Sequence, residues 1–505
     1  MNDLNRHGLA QATFSALKWG YVGTAVKVVA QMLIGVVLAR LLGPEPFGLV
    51  AVSWIVIGLG GLVSDFGFGA ALVQRKTISE VEIRYVFTIQ VLIGIGLTLI
   101  IAIAATQIAQ VFNQQQIIPV MRALSLIFFI QAFSQTAVSL LRRNLDLKGI
   151  QLAQVMSYIL SYIMLGIPLA YFGFGVWSLI LAQLSQSLLY TAFTYLRARH
   201  PVKPLFRTSI GLFNFGSKVM GANIFNWSIQ NMDNAFVGKF FGVASLGLYS
   251  RTYTLMIVPL NNVVTVLQGV LFPAYSKAQE ETEMLKRVYL ASVGVIAMIV
   301  LPLFGSVAAI PHTVIEGLYG EKWLGAVPIL VPIALAMPFH AIMSLAGPLI
   351  WGKGKVGKEL VVQAITAALF ISVLLVTSKI SLVTLAWGVF GVYVVRFFLM
   401  TRAVLRLVDA SWPKMLMALR GGVLILAGTT LAARGMDSAI LSYSIASPIR
   451  LFGDVSAAGV ALCLMFLLFP RYLITEEIAW LFGRFSHKIP RIFRSFLSRI
   501  RLVET

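Results

Sequence analysis

Apolar runs of membrane-spanning length recur from one end of the chain to the other, each closed by a short polar or basic stretch. A run of eighteen or more apolar residues predicts a helix that crosses a bilayer. Fourteen such helices are expected, near 14–38, 47–72, 85–110, 117–140, 151–172, 175–196, 210–236, 246–272, 288–310, 324–350, 359–378, 381–401, 415–433 and 450–470. The pattern predicts an all-α polytopic membrane protein. The connections are too short to hold an inserted soluble domain. The opening stretch MNDLNRHGLAQATFSALKWG lacks the short apolar core and small-residue cleavage site of a signal peptide, so the first span is expected to be retained.

Lys and Arg alternate between the connections. Those after even-numbered spans carry Arg75, Lys76 and Arg84; Arg142, Arg143 and Lys148; Arg197, Arg199, Lys203 and Arg207; Lys277, Lys286 and Arg287; Lys353, Lys355 and Lys358; Arg402, Arg406 and Lys414. Those after odd-numbered spans hold only Arg40, Lys239, Lys322, Lys379, and the pair Arg434 and Arg450. The positive-inside rule places the even connections and both termini in the cytoplasm.

Composition agrees. The 505 residues are 58% hydrophobic and 12% charged, with a mean hydropathy of +0.87. A soluble domain carries roughly 25% charged residues. The single Cys463 rules out an intrachain disulfide and a cysteine metal site, and reads as a small packed side chain. The net charge of +21 raises the question of nucleic acid. Its placement answers otherwise, because much of it is topology. In the tail HKIPRIFRSFLSRIRLVET, Ile489, Ile492, Phe493, Phe496, Leu497 and Ile500 share a helical face beside Arg491, Arg494, Arg499 and Arg501. That predicts a helix lying on anionic membrane lipids, each cation adding about 1 kcal/mol.

The chain is also written twice. KVVAQMLIGVVLARLLGPEPFGLVAVS, from Lys27, aligns without a gap on NWSIQNMDNAFVGKFFGVASLGLYSRT, from Asn226. Arg40 falls on Lys239, a register of 199 residues, with Gly43 on Gly242, Gly48 on Gly247 and Leu49 on Leu248. In the same register Thr24 meets Asn223, Lys27 meets Asn226 and Gln31 meets Gln230. Positions i, i+3 and i+7 share one helical face. Each copy therefore carries a polar stripe inside an apolar span, and Asp233 extends the second. Six spans separate the copies, so they point the same way, as in transporters built of two lobes about an axis along the membrane normal. Helices one to six (1–205) and seven to twelve (206–406) form the expected lobes, followed by accessory helices thirteen and fourteen (407–474) and the basic tail (475–505).

Charge inside a span costs ~2.5–3.5 kcal/mol per residue on insertion scales, so it faces water or a partner. Seven cations lie in or near spans: Lys18, Lys27, Arg122, Lys218, Arg251, Arg396 and Arg420. Only Asp65 and Asp233 sit comparably deep. Lys18 and Arg420 lie close enough to the cytoplasmic ends to snorkel, and snorkelling or a cavity is open for Arg122 and Arg396. Lys218 borders either a cavity or the interface, and Arg251 lines a cavity or anchors the eighth span. Lys27 is near mid-span beside Gln31, where snorkelling needs a long reach. Asp65 and Asp233 are either structural ion-pair partners or sites for a coupled proton or sodium ion. His340 beside Pro338 reads as a hydrogen-bonded structural histidine. The excess of cations suits an anionic cargo, and phosphates are well served by Lys and Arg.

Catalytic signatures are missing. GKGKVGK at 352–358 lacks phosphate-loop spacing, and GLGGL at 58–62 and YFGFGVW at 171–177 follow no strand. There is no HExxH, no paired aspartates for a sugar-nucleotide metal and no long outer loop. A transporter is therefore expected, not an enzyme, and no cofactor.

In order along the chain, ARLLGPEPFGLVAVS, SDFGFGAALVQR and NMDNAFVGKFFGVASLGLYSRTYTL resemble the polysaccharide exporters of the multidrug/oligosaccharidyl-lipid/polysaccharide superfamily, in particular its O-antigen and colanic-acid-type flippases. The resemblance runs to about residue 470. It implies the two-lobed fold, with two accessory helices, in a bacterial inner membrane. It implies a polyprenyl-pyrophosphate-linked oligosaccharide carried from the inner to the outer leaflet, with polysaccharide polymerase and export machinery as expected partners. By motif it singles out Asp65, Asp233 and Arg251. Thr24, Lys27, Gln31, Lys218, Asn223, Asn226, Gln230 and Arg251 are then the expected cavity lining, and Asp65 and Asp233 the expected coupling carboxyls for proton, sodium or membrane potential. A polymerase or ligase of lipid-linked sugars, or an exporter of another amphipathic substrate such as a lipid-linked peptidoglycan precursor or a drug, stands as the alternative.

Overall fold

A computed structural model describes residues 6–65, 72–73, 77–205, 213–441 and 446–484, and helices account for nearly all of them. The long ones are α1 (Arg6–Leu42), α2 (Pro44–Asp65), α3 (Glu80–Val111), α4 (Ile117–Arg143), α5 (Leu147–Tyr171), α6 (Val176–Arg197), α7 (213–241), α8 (243–277), α9 (Thr282–Ala309), α10 (Glu321–Gly352), α11 (Val356–Thr377), α12 (Leu382–Leu407), α13 (Trp412–Leu441) and α14 (Ser447–Leu468). Among the described residues, 12 helices are long and apolar enough to cross a membrane. The remaining two of the expected fourteen are α7 and α8, which run on from one another as a 65-residue helical stretch bent at Gly242. This is a multi-pass α-helical membrane protein. Its outer surface agrees: Leu33, Ile103, Leu431 and Phe452 are each more than 60% exposed, which acyl chains tolerate and water does not.

Local chemistry sets the helix ends. Ser79 accepts the Glu82 N–H at 3.3 Å while the Glu82 carboxylate accepts the Ser79 N–H at 2.8 Å, a capping box that starts α3. Asp146 accepts the Gly149 N–H at 2.9 Å and Arg197 Nε at 2.8 Å, so the start of α5 is tied to the end of α6. Ser381 accepts the Thr384 N–H at 3.0 Å and opens α12. Pro168 would break the ladder of α5, since it has no N–H to donate. The helix answers with a π-turn over Tyr162–Gly166 and continues to Tyr171.

Packing divides the chain into two compact units, Met1–Arg251 and Thr252–Thr505. In the first, α3 packs on α4, α4 on α6, α6 on α5 and α5 on α1. Ile34 and Leu38 of α1 are buried there with Tyr158 and Ala170 of α5 and Leu179 of α6. In the second, α9 packs on α13 and α13 on α14, while α10 packs on α9 and α12, and α11 on α12. A short helix, Pro311–Tyr319, lies against α14, and another, Glu476–Arg484, against α9.

The first unit contains the repeat junction. Gly43 closes α1 with φ 78° and Gly242 closes α7 with φ 82°, so both copies turn at the same position through a conformation side chains resist. Beyond the turns, α2 and the start of α8 touch backbone to backbone. A Cβ on Gly48 would strike the Val243 carbonyl, and one on Gly247 the Pro44 carbonyl. The added carbon would also lie 3.1 Å from Gly247 N in the first case and 3.0 Å from Gly48 N in the second. In the 199-residue register Gly48 corresponds to Gly247 and Pro44 to Val243. The contact is therefore reciprocal, which is the mark of a twofold axis running between the two glycines.

Candidate functional site

The polar interior of the first unit is built on α1, α5, α6 and the start of α8. Lys27, half-buried on α1, donates to Gln154 Oε1 on α5 at 3.5 Å. The Tyr190 phenol of α6 lies beside the same amide, so Gln154 stands between a cation and a phenol. One helical turn earlier on α1, Gly23 leaves room for Gln151, whose Cβ would be 2.6 Å from any carbon added there. Gln151 Oε1 is buried with no donor among the described residues. Such an acceptor is costly unless a ligand or water completes it.

Further along α5, Ser161 bonds Ser185 of α6 at 3.1 Å and Tyr162 donates to Gln183 at 3.0 Å. The π-turn begins at Tyr162. Arg251 reaches this end of the site. Its guanidinium fills the space left by the missing side chain of Gly35, stands 5.2 Å from the centre of the Phe47 ring and interacts electrostatically with Tyr158 and Tyr162. The arrangement sets two cations among amides, hydroxyls and phenols. It can hold an anion or the hydroxyl groups of a sugar.

Of the expected lining, Lys27 and Arg251 enter this interior. Gln31 is partly buried on the same helix, and Thr24 is exposed with its hydroxyl on the Gly20 carbonyl at 2.8 Å. Lys218, Asn223, Asn226 and Gln230 lie on helical backbone of α7, and their side chains are outside the described residues. Asp65 ends α2 and its side chain is likewise outside them. The side chain of Lys18 and the basic tail beyond residue 484 are also outside.

Asp233 is buried, and its partners are across the bend of the helix. Oδ2 accepts the Tyr249 hydroxyl at 2.8 Å and Oδ1 accepts the Asn234 N–H at 2.8 Å. The carboxyl thus fastens α7 to α8 over Gly242. Arg122 points outward and donates to the Ala102 carbonyl at 3.3 Å, and Arg420 donates to the Tyr472 carbonyl at 3.2 Å, as snorkelling residues do. In the second unit Arg396 and His340 meet in a polar cluster, where the His340 ring is 5.1 Å from Tyr393 and the Tyr393 and Tyr253 hydroxyls are 3.0 Å apart.

Sequence reasoning missed Gln151, Gln154, Tyr158, Tyr162, Gln183 and Tyr190. The signal was available: α5 and α6 carry amides and phenols at helical spacing through spans that need neither. Gly23 and Gly35 gave less notice, since a glycine in an apolar run does not say what fills its space.

The fold and site define a helical membrane protein whose two copies of one motif meet at a local twofold, with Lys27 and Arg251 set among amides and phenols in its first unit. Residues 37–328 match the model of a family described as "Polysaccharide biosynthesis protein". The chain belongs to that family. It is 25% identical over 487 residues to the teichuronic acid biosynthesis protein TuaB of Bacillus subtilis (strain 168), covering 95% of this chain and 99% of the relative. It is 24% identical to the lipopolysaccharide biosynthesis protein WzxC of Escherichia coli (strain K12), covering 74% and 76%. Among solved structures it shares the fold of the lipid II flippase MurJ in an inward closed conformation, with a TM-score of 0.67 at 13% identity over 92% of this chain and 99% of that one. An inward-facing multidrug resistance MATE family transporter of the MOP superfamily gives a TM-score of 0.58 at 15% identity over 77% and 99%. The expected kinship with polysaccharide biosynthesis proteins is thus met in sequence, and the expected fold in these two neighbours.

Proposed function

We propose that the protein is a flippase that carries a polyprenyl-pyrophosphate-linked oligosaccharide from the inner to the outer leaflet of a bacterial cytoplasmic membrane, with both termini in the cytoplasm. The observation that carries this reading is the placing of Lys27 and Arg251 among amides and phenols inside the first unit. Cations recognise the pyrophosphate; amides and phenols recognise sugar hydroxyls. Membership of a polysaccharide biosynthesis family supports the sugar, as do the names of TuaB and WzxC, which refer to teichuronic acid and lipopolysaccharide biosynthesis.

In this reading the lobes are 1–205 and 206–406, and the polar stripes Thr24–Lys27–Gln31 and Asn223–Asn226–Gln230 face one water-filled path, with Lys218 beside the second. Alternating access exposes that path to each leaflet in turn while the lipid tail stays in the bilayer. No bond in the cargo is broken. Asp65 and Asp233 are the carboxyls at which a coupled proton or sodium ion would act. Polymerase and export machinery would take up the product at the outer face.

The test is purified protein in vesicles loaded with a defined pyrophosphate-linked sugar lipid, read by access of an external enzyme to the sugar. Wild-type protein should expose the inner-leaflet sugar, and Lys27→Ala should slow this by at least about tenfold, the effect of ~1.4 kcal/mol, while inserting normally. Equal rates for both would remove Lys27 from the path. No exposure by wild-type protein under an imposed potential would reject the flippase.

A further inference from the structure

The outer ends of α13 and α14 enclose a second polar site, remote in sequence from the first and built wholly within the second unit. Arg450 and Asp454 are four residues apart on α14 and so share a face. Asp437 comes from α13 and Thr313 from the short helix Pro311–Tyr319. One oxygen of Asp437, Oδ1, accepts both Arg450 Nε at 2.7 Å and Thr313 Oγ1 at 2.6 Å. Three separate elements therefore converge on one carboxylate.

Asp454 is the unexplained member. It is fully buried, with 0% exposure, and both its carboxyl oxygens lack a donor among the described residues. Arg450, one helical turn away on the same face, holds the Asp437 carboxylate, and the two carboxyls interact with each other. Gly453, beside Asp454, is packed against Ile440 and Met436 of α13, and Leu451 against Gly317 of the short helix. Two ionised carboxylates in contact repel, and a carboxylate buried without a donor is among the costliest groups a fold can hold.

The charges do not balance. Two carboxyls share one guanidinium, and that guanidinium is committed to Asp437. At this end of the packed elements the other charged groups are Arg434 on α13, which is exposed, and His312 and Glu316 on the short helix, which pair with each other at 3.3 Å; Lys414 and Arg420 lie toward the far end of α13. Among the described residues one positive charge is missing, and no third metal-ligating side chain joins the two carboxyls, so a proton between their oxygens is the cation that fits. We propose that Asp437 and Asp454 bind a single exchangeable proton, which completes a clasp joining α13, α14 and the short helix Pro311–Tyr319. The proton is donated by one carboxyl to an oxygen of the other, so the pair carries one negative charge, matched by Arg450. Its loss leaves two carboxylates in contact and parts the clasp. That the site faces the outside rests on the topology proposed above; proton binding itself does not.

The experiment is infrared difference spectroscopy of the full-length protein in lipid discs, stepping between mildly acidic and mildly alkaline buffer. Wild-type protein should lose a carboxylic-acid band on the alkaline step. Asp454→Asn and Asp437→Asn should each lack that same band, because the proton belongs to the pair. Elution as a single species and an unchanged helical spectrum would show that each variant is folded, and two independent variants guard against one failing to assemble. A band that survives in either folded variant overturns the proposal. So does a wild-type signal that follows sodium concentration at constant pH. Neither readout depends on transport, so the clasp can fail while the flippase stands, and the reverse.

Discussion

At the scale of single residues, the informative positions are those where a side chain is missing. Gly35 sits in an apolar run and looks like packing, yet the space it leaves is occupied by the Arg251 guanidinium, whose Cζ would lie 3.1 Å from a Cβ at that position. Arginine in a span is usually expected to anchor or to snorkel; here the glycine opposite gives it a third option. Gly35→Val would push the guanidinium off Phe47 and away from Tyr158 and Tyr162. Overpacking of this kind costs ~1–3 kcal/mol, but the sharper consequence is for the cargo. Gly35→Val and Arg251→Gln should each slow sugar-lipid exposure in vesicles, and the double variant should be little slower than either alone. A pair of losses that simply add would show that the two residues act separately, since coupling is what a shared site predicts.

At the scale of the helices, the sequence was legible wherever one physical rule acted alone. Span length follows from bilayer thickness, and the expected helices recur with shifted ends. The 199-residue register reappears as two left-handed glycines and one reciprocal contact, at Gly43 with Gly242 and Gly48 with Gly247. The Lys27 end of the site could be read because a mid-span lysine has no bland explanation. The other walls could not, because Gln154 or Tyr190 alone is unremarkable in a span and becomes a site only when α1, α5 and α6 meet. Asp233 was legible as an anomaly and not as a role: its tie to Tyr249 depends on the bend at Gly242. Gly242 has φ 82° and ψ 173°, a region that is essentially glycine's alone. Gly242→Ala should therefore lower the thermal unfolding midpoint by the equivalent of ~1–3 kcal/mol. Tyr249→Phe should lower it too, by ~1–3 kcal/mol for a buried carboxyl left without its donor. Gly43→Ala, at the corresponding turn, should resemble Gly242→Ala. A silent Gly43→Ala would mean the two turns are alike in shape and unlike in load.

For the whole molecule, the governing quantity in the proposed flippase cycle is the charge carried through the membrane. The chain has a net charge of +21, but the charges outside the spans stay where topology puts them. Only the cargo and whatever residues shift with it cross the field. A pyrophosphate moving outward from a negative interior gains ~2.3 kcal/mol per charge per 100 mV, enough to bias the cycle by tens-fold. If Lys27 and Arg251 remain fixed in α1 and α8 while the headgroup passes, that gain is available in full. If they travel with the phosphates, they cancel it, and another source of energy is required. Vesicles with an imposed potassium diffusion potential separate these cases. An inside-negative potential should accelerate outward movement of a pyrophosphate-linked sugar several-fold and leave a neutral lipid-linked sugar unaffected. Reversing the sign should slow the first and again spare the second. An anionic cargo that ignores the potential would show that cations move with it, and would turn attention to Asp65 and Asp233 as the carboxyls through which an ion gradient is harnessed.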